Sequence, residues 1–177
     1  YLHMISDTLA GNRLIGMIQP IDGAKDEPVD VYRTGCAGRI ASFTETRDGR
    51  IQIVLSGICR FDIKREVQDT NDYRYAEVSW ERFAHDLDDL EINYGRDSLL
   101  AIVRTYLEIQ SLTIEWKLLE NLEFPELVDM LGSILPFVPR EKQGLVESLT
   151  IQDRCELLAA LCEFAAQGVT PGEDLTH

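Results

Sequence analysis

Apolar positions along the chain change period twice. In residues 1–10, Leu2, Ile5 and Leu9 share one face at helical spacing, and Gly11-Asn12 ends the pattern, so a short helix is predicted there. Residues 13–19 are almost continuously apolar (Leu14, Ile15, Met17, Ile18), the pattern of a strand buried on both faces. A polar, acidic loop holding Gly23 and two prolines spans 20–28. From Thr34 the period becomes two, with Ala37, Ala41 and Phe43 on one face, Arg39 among them and Ile40 on the other. Asp48-Gly49 between two strand-like runs predicts a hairpin, and Ile51, Ile53 and Leu55 alternate beyond it. Gly57 predicts a bulge or bend, after which Phe61 and Ile63 oppose Arg60, Asp62 and Lys64. Residues 69–72 read as a turn, and Ala76, Val78 and Trp80 as the inward face of a further strand.

Beyond His85 the period becomes helical. Asp86, Asp88, Asp89 and Glu91 read as an acidic connector, which divides the chain into a β-rich subdomain, 1–88, and a helical one, 89–177. A helix over 97–118 carries Leu99, Ile102, Val103, Tyr106 and Ile109 as a stripe. Pro125 suits the first turn of a second helix with Leu127, Val128, Leu131, Ile134 and Leu135, stopping before Pro136. Pro139 starts a third, and Thr150 with Asp153 caps a last helix that ends at Gly168 and buries Leu158, Leu161, Cys162 and Ala165. Trp80 and Trp116 are assigned to the core or to the junction of sheet and helices. The fold class is α+β.

Charge narrows the partners. Seventeen basic against 31 acidic residues give −14, which repels a phosphate backbone, and no basic stripe offsets it. Nucleic acid is therefore not an expected partner. No apolar run approaches the roughly 20 residues that cross a bilayer, so no membrane partner is expected either. Cys36, Cys59, Cys155 and Cys162 show no Cys-x-x-Cys pairing and read as reduced thiols, which points to the cytoplasm. His3, His85 and His177 offer no zinc spacing, so no metal or other cofactor is expected.

Catalytic signatures are missing. Gly11 and Gly16 have the spacing of a phosphate loop, but Met17-Ile18 stand where lysine and a hydroxyl are needed. There is no Gly-x-Ser-x-Gly elbow and no His-Glu-x-x-His pair. The expectation is a protein that is not an enzyme. Candidate binding residues remain. Arg39 and Arg60 lie within strands beside glycines, as braces across a bent sheet or as anchors for a peptide carboxylate. Tyr32, Tyr73 and Tyr75 fall in or beside loops, where amphipathic rings serve recognition or pack between layers. Tyr32, Arg39, Tyr73 and Tyr75 form the expected peptide-binding set.

Several segments in order resemble a known family: Leu14-Ile15-Gly16-Met17-Ile18-Gln19, Gly35-Cys36-Ala37-Gly38-Arg39-Ile40, Asp48-Gly49-Arg50, Ser56-Gly57-Ile58-Cys59-Arg60-Phe61, and Tyr73 with Ala76 and Val78. Leu135-Pro136-Phe137, Glu141-Lys142-Gln143 and the leucine-rich segment around Arg154 continue the match. Together they resemble the N-terminal, substrate-binding domain of the Lon protease family. That resemblance implies a PUA-like twisted sheet or pseudo-barrel followed by a C-terminal helical bundle. It also implies a non-catalytic polypeptide-recognition module, here as a stand-alone member without the ATPase and protease domains. Family members begin with a strand and a Phe-Glu-x-Arg-Tyr segment, of which only Tyr1 is matched, so a missing first strand and an upstream natural start are expected. Asp72 stands where the family commonly has proline. The expected partners are unfolded or tagged polypeptides, an ATP-dependent protease and a second copy of the chain as a homodimer. Alternative readings are an adaptor docking on a separate ATP-dependent protease, or a small-molecule-binding domain.

Overall fold

A computed structural model describes residues 1–23, 29–67, 73–88 and 95–167. Part of the loop expected over 20–28, the turn at 69–72, Asp89 and Glu91 of the connector, and the helix end at Gly168 lie outside the described residues. The chain is α+β and divides into two compact units, Tyr1–Asp89 and Leu90–His177.

The first unit opens with helix α1 (Leu2–Ala10). Four antiparallel strands follow in simple meander order: β1 (Leu14–Met17), β2 (Thr34–Glu45), β3 (Ile51–Val67) and β4 (Tyr75–Ser79). A 3-10 segment, Glu81–Leu87, completes the unit. The chain leaves α1 through Gly11, Asn12 accepts the amide of Leu14 at 3.0 Å, and Arg13 takes a left-handed φ of 61°. β1 is not buried on both faces, as its apolar run implied. Among the described residues it is an edge strand paired only with β2; Ile15 is buried while Met17 is exposed.

The β2–β3 hairpin turns at 47–49. Gly49 donates to Thr46 at 3.0 Å with φ +77°, a three-residue loop in which only the glycine is left-handed. Two irregularities interrupt the long ladder. Ala37 pairs with Cys59 but Gly38 with Gly57, leaving Ile58 unpaired beside the glycine; Ile40 pairs with Leu55 but Ser42 with Val54, leaving Ala41 unpaired. The second bulge corrects the expected faces. It puts Ile40 and Phe43 on one side, because one extra residue shifts a period-two pattern to the opposite face. Ile40 joins Ile5 and Ile15 in a core flanked by Met4, Leu9, Ile51, Ile53 and Leu55, beneath α1. Phe43 and Ala41 are exposed.

On the other face Phe61 is buried, with the ring of Trp80 edge-on at 5.6 Å. Trp80 itself is 43% exposed and Ala76 is exposed, so Val78 is the best covered of the expected inward triplet. Gly35 is required by packing: a methyl there would overlap Ile18 Cδ1 and the carbonyl of Met17. Gly35→Ala should separate β1 from β2 and lower stability by about 1–3 kcal/mol, read as a shifted urea midpoint. An unchanged midpoint would contradict this packing.

The second unit is helical: α2 (Arg96–Ile109), a 3-10 turn Trp116–Leu118, α3 (Phe124–Ile134), α4 (Pro139–Glu147) and α5 (Ile151–Ala166). Three helices begin by the same local device. Glu126, Glu141 and Asp153 each accept the backbone amide three residues before them, at 3.3, 3.0 and 3.0 Å. Thr150 reciprocates for Asp153 at 3.0 Å. α2 ends nine residues earlier than the apolar stripe predicts. Ser111 adopts φ 56°, its amide reaches Glu108 and that of Leu112 reaches Leu107, a Schellman closure made with serine in place of glycine. Ile109, the last residue of α2, is exposed, and Leu107 takes a core place instead. Ile134, at the end of α3, is exposed as well. Leu99, Val103, Leu127, Leu131, Leu158 and Cys162 are among the fully covered side chains. Trp116 is half-buried, with the Arg104 guanidinium 4.0 Å above its ring.

Candidate functional site

The tyrosines singled out in the sequence divide in space. Tyr73 and Tyr75, at the start of β4, pack with ring centroids 4.9 Å apart and hydroxyls 2.8 Å apart. Tyr73 donates to Asp7 Oδ2 at 2.8 Å, so Tyr75 completes the chain by donating to Tyr73. The Tyr75 hydrogen bond, then desolvation and the Asp7 carboxylate, hold the Tyr73 phenol far above its ordinary range, leaving it a neutral donor. Next to it, Arg74 grips Glu66 through two nitrogens and reaches the carbonyl of Val29 at 2.7 Å. That ion pair lowers the Glu66 carboxyl and raises the arginine.

Tyr32 is half-buried before β2, where its amide donates to Gln19 at 3.0 Å beside the Pro20–Val31 bridge. Arg39 pairs in register with Leu14 and Ser56, neighbours of inward-facing Ile15 and Leu55, so strand alternation puts it on the face away from α1. Its side chain has no hydrogen-bond partner among the described residues, and it is exposed. Arg39 braces no described group.

Arg60 is a brace. Its Nε and backbone N both donate to Asp86 Oδ2 at 2.9 Å, its Nη2 to Oδ1 at 2.6 Å, and its guanidinium lies 4.3 Å from the Phe83 ring centroid. Asp86 is accordingly not part of an acidic connector. It straps the 3-10 segment onto β3.

Two clefts border the first turn of α1. A cleft of about 380 Å³ is lined by Tyr1, Leu2, Ile5, Gly49, Arg50 and Ile51. Another, of about 250 Å³, is lined by Tyr1, Leu2, His3 and Tyr73. Both are open, and both share Leu2, which is 57% exposed. The sequence pointed to Tyr73 but not to Leu2, whose helical spacing with Ile5 marked it as core. Asp7 lies 66 positions from Tyr73 and carried no signal at all.

Nucleophile chemistry has little support here. Burial pushes the thiol of Cys155 up to about 11 and that of Cys162 up to about 12, so neither supplies a thiolate near neutrality. Among the described residues no cluster of His, Cys, Asp and Glu could hold a metal ion, and no helix is long and apolar enough to cross a membrane.

Comparisons with known proteins by sequence and by fold agree. The family model described as the ATP-dependent protease La (LON) substrate-binding domain matches residues 1–162. A Lon protease of Flavobacterium johnsoniae is 29% identical over 163 residues, covering 86% of this chain and 19% of that protease. One of Desulforamulus reducens is 25% identical over 167 residues, covering 90% and 20%. The chain thus spans about a fifth of the length of these relatives. The crystal structure of a Lon N-terminal domain protein from Xanthomonas campestris superposes with TM-score 0.64 at 21% identity, over 90% of this chain and 82% of that one. The N-terminal domain of a Mycobacterium avium complex Lon protease gives 0.54 at 14% identity over the same shares. By this match and this fold, the chain belongs to the Lon substrate-binding domain family.

Proposed function

We propose that this chain recognises polypeptides without catalysing their cleavage, through the apolar surface at the first turn of α1. One observation carries the reading. Two clefts flank the first turn of α1, one walled by the β2–β3 hairpin and the other by Tyr73. Apolar walls beside a few fixed polar groups suit side chains that a folded protein hides. Tyr75 and Asp7 hold Tyr73 in place, so that wall is pre-organised, which limits the ordering cost on binding. The sheet with its bulges is read as the PUA-like half of such a domain, and the four main helices as its bundle. Four free cysteines, three of them buried, fit a reducing cytoplasm.

The test is fluorescence anisotropy with labelled α-lactalbumin, reduced and carboxymethylated so that it stays unfolded, against the native form. The unfolded form should bind with a dissociation constant of about 1–10 μM, and the native form should not. Leu2→Asp and Tyr73→Ala, both at accessible positions, should each weaken binding about tenfold. Equal binding of native and unfolded forms, or no loss in either variant, would overturn the reading.

A further inference from the structure

The two units treat their charges differently. In the sheet unit, arginines sit on carboxylates: Arg60 on Asp86, Arg65 on Glu77 at 2.8 Å, Arg74 on Glu66, Arg82 on Asp62 at 3.5 Å, Arg50 on Asp48 at 3.2 Å. In the helical unit the described residues hold twelve carboxylates and six cations. Three of those cations face neutral groups instead. Arg96 donates to the carbonyls of Leu122 and Leu119, both at 2.7 Å, and of Glu120 at 3.4 Å. Lys142 takes the Ser133 carbonyl at 2.6 Å, and Arg104 covers Trp116. Among the described residues of this unit, Arg154 alone is paired with a carboxylate, that of Asp129. The helical unit's acidity is therefore left largely uncompensated at its surface.

That acidity borders an uncovered apolar line. Glu126, Met130 and Ile134 follow one another at spacings of four along α3, so they share a flank, with Glu123 at the N-cap before them. Leu127, Val128 and Leu131 occupy the buried side. Met130 is 40% and Ile134 44% exposed. Apolar contacts at one end and carboxylates at the other are complementary to an amphipathic helix with a cationic polar face.

We propose that the α3 flank Glu123–Glu126–Met130–Ile134 docks a cationic amphipathic helical segment of a polypeptide partner. The inference rests on the polypeptide-recognition reading for the class of partner, and adds a second surface of defined chemistry. Carboxylates supply approach and orientation, and the two apolar side chains supply contact area.

The test uses the whole chain and three labelled peptides of about 18 residues, long enough for a five-turn helix: an amphipathic Leu/Lys peptide, a scrambled peptide of the same composition, and a Leu/Glu counterpart. The Leu/Lys peptide should bind most tightly, and its affinity should fall as salt rises. The double variant Met130→Ser/Ile134→Ser keeps every charge and should weaken that binding about tenfold with unchanged helical circular dichroism. Equal binding of the scrambled peptide would show attraction to net charge alone and overturn the proposal. So would equal binding of the Leu/Glu peptide or an unaffected double variant. Unfolded α-lactalbumin, measured alongside with Leu2→Asp, reports the α1 surface separately, so failure at one surface is distinguishable from failure at the other.

Discussion

Asp86→Ala is expected to destabilise the sheet unit by about 3–5 kcal/mol, the range for stranding one member of a buried ion pair. The side chains of Arg60 and Asp86 are only 8% and 18% exposed. Three hydrogen bonds converge on the carboxylate, and Phe83 closes one side of the guanidinium. Removing the carboxylate leaves a largely buried cation without that counter-charge and loosens the 3-10 segment on β3, where Cys59 still donates to the Phe83 carbonyl at 3.3 Å. Trp80, six residues before Asp86, reports the transition by fluorescence in urea. A companion variant separates stranding from the worth of the pair itself. Arg60→Met with Asp86→Leu removes both charges and should recover most of the loss, because the attraction of the intact pair is largely offset by its desolvation. A loss below about 1 kcal/mol in Asp86→Ala would show that the strap is solvated and carries little.

Leu158→Ala should cost about 2–5 kcal/mol, the range for leucine truncation in a closed core. Leu158 is fully buried in α5, within the cluster that includes Leu99, Val103 and Leu131. α2 and α5 make the most extensive helix pair in the unit, so the cavity would open where relaxation is most constrained. Trp116 is the only tryptophan of this unit, and a Trp80→Phe background leaves it as the sole fluorescence reporter. A cost under about 1 kcal/mol would mean that the site collapses around the lost atoms.

Much of the architecture was legible because its signals are local. Proline in the first turn marks the starts of α3 and α4, and Thr150 with Asp153 marks α5, all within four residues. Gly49 marks the hairpin in the same way. Where a signal needs tertiary context, reading it locally failed. The apolar run at β1 is the same for a central strand as for an edge, and only pairing distinguishes them. Ser111 closes α2 in a conformation that glycine normally announces. The unpaired Ala41 reverses the faces of β2 without any residue type that marks a bulge.

The candidate site follows the same division. Tyr73 and Tyr75 were visible as ring-bearing residues beside a predicted turn, but their contact with Asp7 was not. Nor was the role of Asp86, which local composition assigned to a connector and the fold assigns to Arg60, 26 positions away. Periodicity, caps and turn residues act over a few bonds, so the sequence by itself determined the element types and the family. The edge strand, the strapped Arg60, the clefts at Leu2 and the exposed flank of α3 depend on which distant groups meet. Tertiary structure decided those, because burial and pairing are properties of contacts that the chain makes only when folded.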